Sequence, residues 1–188
     1  MIIIVGTRHC RVLIHEATHP TKDEGIVKEK ETRLLKETGV LTTYIGITMI
    51  QHQHLLRVKT TGKSFVKITS EIQSIVSKSG VKTGLCTLFL RHTSASLVIQ
   101  ENADPDVLLD LEKFFADLVP ESRNYFHSTE GPDDMPAHIR TALTHTSEQI
   151  PINQGSLVLG TWQGIYVWEH RQRGSFRELV VHVSGELE

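Results

Sequence analysis

Eleven of the 188 residues are histidine. Imidazole titrates near neutrality and ligates metals, so its clusters with carboxylates mark where chemistry is feasible. The densest cluster is H-S-T-E-G-P-D-D-M-P-A-H at 127–138, with two imidazoles and three carboxylates in twelve residues. His127 on a loop and His138 on the helix that follows are close enough along the chain to reach one ion. Imidazole with carboxylate suits zinc or another first-row divalent ion. The spacing matches no named metal signature, and a solvated polar loop accounts for it equally well.

Two further stretches carry reactive groups. R-H-T-S-A-S-L-V-I-Q-E-N-A-D-P-D at 91–106 places Glu101, Asn102, Asp104 and Asp106, with Asp110 a turn later, where a strand gives way to a helix. Free N–H groups at a helix N-terminus suit a phosphate, although Asp104 alone is adequately explained as the helix cap. In L-G-T-W-Q-G-I-Y-V-W-E-H-R at 159–171, alternation puts Tyr166, Trp168 and His170 on one face and Ile165, Val167, Glu169 and Arg171 on the other. His170 is either a packed core residue or the completion of a metal site. Arg171 offers a forked donor for phosphate, and Gly160 and Gly164 bracket Thr161, Trp162 and Gln163 at a turn. Ser94 and Ser96 lie near His92 in sequence, but strand neighbours do not make a triad. The chain has no Walker or Rossmann glycine loop.

The elements that must position these groups are punctuated clearly beyond Met49. A strand-like segment follows it. Thr69 opens a short helix with Ile72, Ile75 and Val76 on one face, and Gly80 closes it. Residues 84–91 read as a buried strand that continues through H-T-S-A-S into 97–99. Asp104–Pro105 starts an amphipathic helix carrying Val107, Leu108, Leu111, Phe114, Phe115 and Leu118, stopped by Pro120. A polar loop spans 121–135, and Pro136 begins another helix to about Leu143. Strands follow at 156–160, 164–171 and 176–183, the last two expected to form an antiparallel hairpin about Gln172–Gly174. Helices grouped between strands imply an α+β fold in a single domain over 49–188. Residues 1–48 carry mixed charge with no sustained period and read as an N-terminal extension, flexible or a short helix, with an extra strand or two docked on the core as the alternative.

Composition narrows the functional classes. A formal net charge of -2 and no basic block disfavour nucleic-acid binding. Cys10 and Cys86 form no CxxC pair, which points to a reducing compartment and a cytoplasmic protein. No apolar stretch is long enough to span a bilayer.

Taken together, H-T-S-A-S-L-V-I-Q-E-N-A-D-P-D-V, E-G-P-D-D-M-P-A-H and L-G-T-W-Q-G-I-Y-V-W-E-H-R resemble the YjbQ-type family over about residues 50–186. The resemblance implies a β-sandwich-like antiparallel core with a few short helices, a homotrimer, and clustered histidines able to hold a divalent ion, zinc or magnesium. It also implies a secondary thiamine-phosphate synthase activity, joining a pyrimidine pyrophosphate to a thiazole phosphate. On clustering and resemblance together, His127, His138 and His170 are the expected metal ligands. His92, Glu101, Asp104 and Arg171 are the expected catalytic groups, with Asp134 in a supporting role. Asn102, Asp106, Trp162 and Gln163 are expected to bind a small phosphorylated substrate. A metal-dependent hydrolase and a non-catalytic metabolite-binding protein remain open alternatives.

Overall fold

The computed structural model describes residues 2–4, 11–13 and 49–187. The chain divides into two units, Met1–Gly46 and Ile47–Glu188. In the first, β1 (Ile2–Ile4) pairs antiparallel with β2 (Arg11–Leu13). The rest of the extension expected over 1–48 lies outside the described residues.

The second unit is α+β. A five-stranded antiparallel sheet runs in the order β3 (Met49–Lys59), β10 (Phe176–Glu186), β5 (Thr83–Leu90), β7 (Ser147–Asn153), β8 (Ser156–Leu157). A three-stranded antiparallel sheet runs β4 (Ser64–Lys67), β9 (Gln163–Glu169), β6 (Ala95–Glu101). The two face each other across one apolar core, as a sandwich requires. Cys86, Leu88, Leu90, Leu179, Val181 and Val183 come from the large sheet, and Ala95, Leu97, Ile165 and Val167 from the small one. In β5 and β10 these are alternate residues, because a strand with one face in the core buries every second side chain.

Strand β9 breaks that alternation, since everything from Gly164 to Glu169 is buried. Ile165 and Val167 enter the core, while the opposite face is covered by helix α2 (Pro105–Leu118): the Phe115 ring packs edge-on against Trp168 at 4.8 Å. Glu112 of α2 accepts from the Trp168 indole at 2.7 Å and from buried Arg140 of α3 (Asp134–Leu143) at 3.1 Å. Helix α1 (Thr69–Ser79) adds Ile72, Ile75 and Val76 to the core and ends, as its sequence implied, on Gly80 at φ 80°.

Several local expectations are corrected. Residues 84–99 are not one strand: the chain leaves the large sheet after Leu90 and enters the small sheet at Ala95. Strands β9 and β10 form no hairpin, because they belong to different sheets. A strand at 156–160 shrinks to Ser156–Leu157, while β4 and β7 had no reading in advance. Thr69 does not cap α1; its hydroxyl accepts from the Ile165 N–H at 2.9 Å. Asp104 does cap α2, accepting from the Asp106 N–H at 2.9 Å.

The two misread connections, 91–94 and 170–175, each carry the chain from a strand of one sheet to the next strand in the other. They lie side by side, joined by the His170 N–H donating to the Ser94 carbonyl at 3.4 Å. Between them runs a buried ion pair bridging the sheets. Arg177 of β10 donates through Nε to Glu169 Oε2 at 2.7 Å and through Nη2 to Oε1, and the Thr60 hydroxyl donates to Oε2 at 2.7 Å. Among the described residues no helix is long and apolar enough to cross a membrane.

Candidate functional site

The crossovers and the N-terminus of α3 converge. His127 Nε2 lies 2.7 Å from Asp134 Oδ2, and His138 Nε2 lies 3.7 Å from Asp134 Oδ1. One ligand atom from each of the three falls within 4.8 Å of the others. Asp134 and His138 are four residues apart on α3, so they share a face of the helix; His127 reaches in from the preceding loop.

Each member is oriented by a neighbour. His138 Nδ1 donates to the Thr93 carbonyl at 2.8 Å, which fixes the tautomer and leaves the Nε2 lone pair directed at the carboxylate. Asp134 is 2% exposed and its Oδ1 accepts from Arg171 Nη1. The rest of the Arg171 fork is engaged too, with Nε on Asp133 Oδ2 at 3.0 Å and Nη2 on the Glu130 carbonyl at 2.9 Å. Burial raises the Asp133 carboxyl, but the Gln172 N–H and the Arg171 guanidinium outweigh it and hold the group below the usual carboxylate range. Arg171 therefore organises the 130–134 loop, and its donors do not face outward for a phosphate.

Two imidazoles and one carboxylate, with coordination positions left over, form a donor set that a first-row divalent ion such as Zn²⁺ accepts. Mg²⁺ prefers oxygen ligands and fits it less well. His138 also lines an open groove of about 760 Å³, whose walls include His92, Thr93, Ser94 and Thr141.

His92 and His170, both expected at the centre, stand apart from this group. His92 Nε2 accepts from the Glu178 N–H at 2.7 Å, and Arg177 Nη1 lies 3.3 Å from Nδ1. Desolvation and then the Arg177 charge push its pKa down, so the ring is neutral with its acceptor already occupied. His170 is buried against the Trp168 ring at 4.8 Å and paired through Nε2 with the Ser96 hydroxyl at 2.9 Å. Burial, followed by the charges of Arg140, Arg177 and Lys63, lowers its pKa to about 3. As a packed imidazole beneath the site, it supplies no ligand atom to the cluster.

The remaining expected residues occupy the far end of the small sheet. Glu101 faces Gln163 in the β6–β9 register, whereas Ala95 faces Glu169 at the site end. Glu101 Oε1 accepts from the Ala103 N–H, and Asn102 Nδ2 donates to the carbonyls of Thr161 and Gln163. Asp104 and Asp106 cap and flank α2, and Trp162 is exposed. Sequence reasoning missed the Thr60–Glu169–Arg177 network and the roles of Asp133 and the Thr93 carbonyl. The charges of Glu169 and Arg177 within otherwise apolar strands were the available signal.

An antiparallel sandwich with a His–Asp–His cluster at its crossovers defines the class, and comparison with known proteins supplies the family. The UPF0047 protein YjbQ-like family matches residues 54–186. A UPF0047 protein of Synechocystis is 67% identical over 141 residues, covering 74% of this chain and 96% of that one. The UPF0047 protein YjbQ of Escherichia coli O157:H7 is 41% identical over 136 residues, covering 72% and 99%. Among solved structures, a YbjQ-like protein of Sulfolobus solfataricus aligns with TM-score 0.70 at 28% identity, covering 74% of this chain and 100% of that one. The chain belongs to the UPF0047 YjbQ-like family.

Proposed function

We propose that this chain is a divalent-metal-dependent transferase acting on phosphorylated small molecules, with a thiamine-phosphate synthase-like activity. The observation that carries the reading is the His127–Asp134–His138 cluster opening through His138 onto a hydroxyl-lined groove. When bound, the ion would supply Lewis-acid stabilisation of the charge on departing pyrophosphate. His127 and His138 would hold it through Nε2, and Asp134 through a carboxylate oxygen. With Nε2 of His127 donating to Asp134 Oδ2, coordination through Nε2 would require the other tautomer, with the proton on Nδ1.

The chain's own groups then bind and orient. Thr93 and Ser94 line the groove and offer hydroxyls to phosphate oxygens. Arg91, in an exposed pair with Glu178, is the cation at its rim. In the transfer, the methylene C–O bond breaks with its electron pair leaving on pyrophosphate, and the thiazole nitrogen forms the new C–N bond. That nitrogen carries no proton to remove, so no general base is needed at the attack. The engaged nitrogens of His92 suit such a reaction better than a hydrolysis that must deprotonate water.

Metal content and turnover of the pyrimidine pyrophosphate–thiazole phosphate pair test the reading together. The wild-type chain is expected to carry close to one equivalent of metal and to lose turnover on chelation, while His138→Ala loses both. Equal, negligible metal in both proteins would sink the ligand assignment. Release of free phosphate from simple esters without a coupled product would transfer the site to hydrolysis.

A further inference from the structure

The hydrogen bonds around His92 do not balance. The Glu178 N–H meets Nε2 at 2.7 Å, and Arg177 Nη1 stands 3.3 Å from Nδ1. A backbone N–H and a guanidinium can only donate, so both ring nitrogens are asked to accept. A neutral imidazole has one acceptor. The shorter contact decides which, because the Glu178 amide is held by the β10 backbone and cannot rotate away. Burial and then the Arg177 charge lower the His92 pKa, which keeps a second proton off Nε2 at neutral pH. The ring proton is therefore on Nδ1, and two donors confront each other across 3.3 Å. Among the described residues neither has an acceptor.

Arg177 cannot withdraw. Its Nε and Nη2 are tied to the two oxygens of fully buried Glu169, which also accept from the Thr60 hydroxyl and the Arg171 N–H. The planar fork then dictates where Nη1 points. Arg177 is itself only 6% exposed, and an unmet donor in such a place favours whatever brings it an acceptor.

The space beside His92 suits an anion. Arg91, His92 and His138 line the groove together with the hydroxyl-bearing Thr93, Ser94 and Thr146, and among the described residues no carboxylate lines it.

We propose that His92 Nδ1–H and Arg177 Nη1 form a subsite for one oxygen of a phosphoryl group that enters from the groove. A phosphoryl oxygen has lone pairs for both donors, and its charge strengthens each bond. Arg177 thus takes the part that the sequence suggested for Arg171, whose donors are spent on the 130–134 loop. The subsite needs no metal; that the phosphoryl group belongs to a transferred substrate rests on the function proposed above.

Inorganic pyrophosphate is the probe, titrated calorimetrically into the full-length chain before and after chelation. Asparagine ends its side chain where Nδ1 stands, whereas glutamine reaches to Nε2. His92→Asn is expected to bind pyrophosphate within about threefold of wild type, and His92→Gln and His92→Ala about tenfold more weakly. Nitrogen-15 NMR of the wild type reads the subsite without any substitution. The His92 proton is expected on Nδ1, and its resonance is expected to shift when pyrophosphate is added. A proton on Nε2, a ring signal indifferent to pyrophosphate, or equal affinity in wild type and His92→Ala overturns the proposal. So does a wild type that binds no pyrophosphate, the outcome if water is the bridging acceptor, or binding that disappears on chelation. Binding that needs His92 and survives chelation, in a chain that does not turn over the pyrimidine pyrophosphate–thiazole phosphate pair, overturns the proposed function and leaves the subsite standing. Turnover in a chain whose pyrophosphate affinity ignores His92 does the reverse.

Discussion

Arg171 is the residue on which the His–Asp–His geometry most depends. It holds Asp133, Asp134 and the Glu130 carbonyl at once, and Asp134 is almost wholly buried. Removing one partner of such a pair leaves a carboxylate desolvated and uncompensated. Arg171→Ala is expected to destabilise the fold by about 3 kcal/mol in urea denaturation, and Arg171→Lys to recover only part of that, because an ammonium cannot reproduce the fork. His170 gives a second expectation. Its pKa falls from 6.5 to about 3 on folding, so between those values the unfolded chain binds the extra proton. Stability is therefore full above pH 6.5 and falls as pH drops towards 3. The loss between pH 7 and pH 5 is about 2 kcal/mol. Urea midpoints at the two pH values measure it; a His170→Gln variant with an unchanged slope would refute the assignment. The lowered Asp133 pKa acts in the same sense at lower pH.

At the scale of elements, the crossovers govern the site. The 170–175 connection passes so close to Thr60 that a Cβ on Gly174 would stand 2.1 Å from the Thr60 carbonyl oxygen. That oxygen belongs to the backbone and cannot swing aside. Gly174→Ala is expected to lower stability by about 2 kcal/mol, within the usual range for strained or overpacked substitutions. It should also loosen the 170–172 segment that holds Asp133. Hydrogen exchange at the Arg171 and Gln172 amides, which donate to Glu169 and Asp133, would report that loosening directly. The helices were legible because their signals are local: an Asp–Pro start, a glycine stop and 3.6-residue periodicity. The crossovers were not. Apolar alternation identifies a strand and its buried face, but not the sheet it joins, so 84–99 read as one strand and β9–β10 as a hairpin.

For the whole molecule, the buried apolar core formed by the described residues runs from Val58 to Val183, inside the Ile47–Glu188 unit. A chain starting at Met49 is expected to unfold cooperatively with a urea midpoint close to that of the full chain; a non-cooperative transition would show that residues 1–48 are needed for the fold. Within this unit the sequence alone carried the α+β class, the family resemblance, and the pairing of His127 with His138, since loop and helix bring near neighbours together by local geometry. It also marked Asp134 as a supporting group. Tertiary structure alone decided that His170 lies beneath the site, that Arg171 turns inward, and that Glu101, Asn102, Trp162 and Gln163 stand at the other end of the sheet. The physical reason is range. Helix caps and periodicity act over a few residues and are written in the chain, whereas the side chains that share a site depend on strand pairing between segments many residues apart.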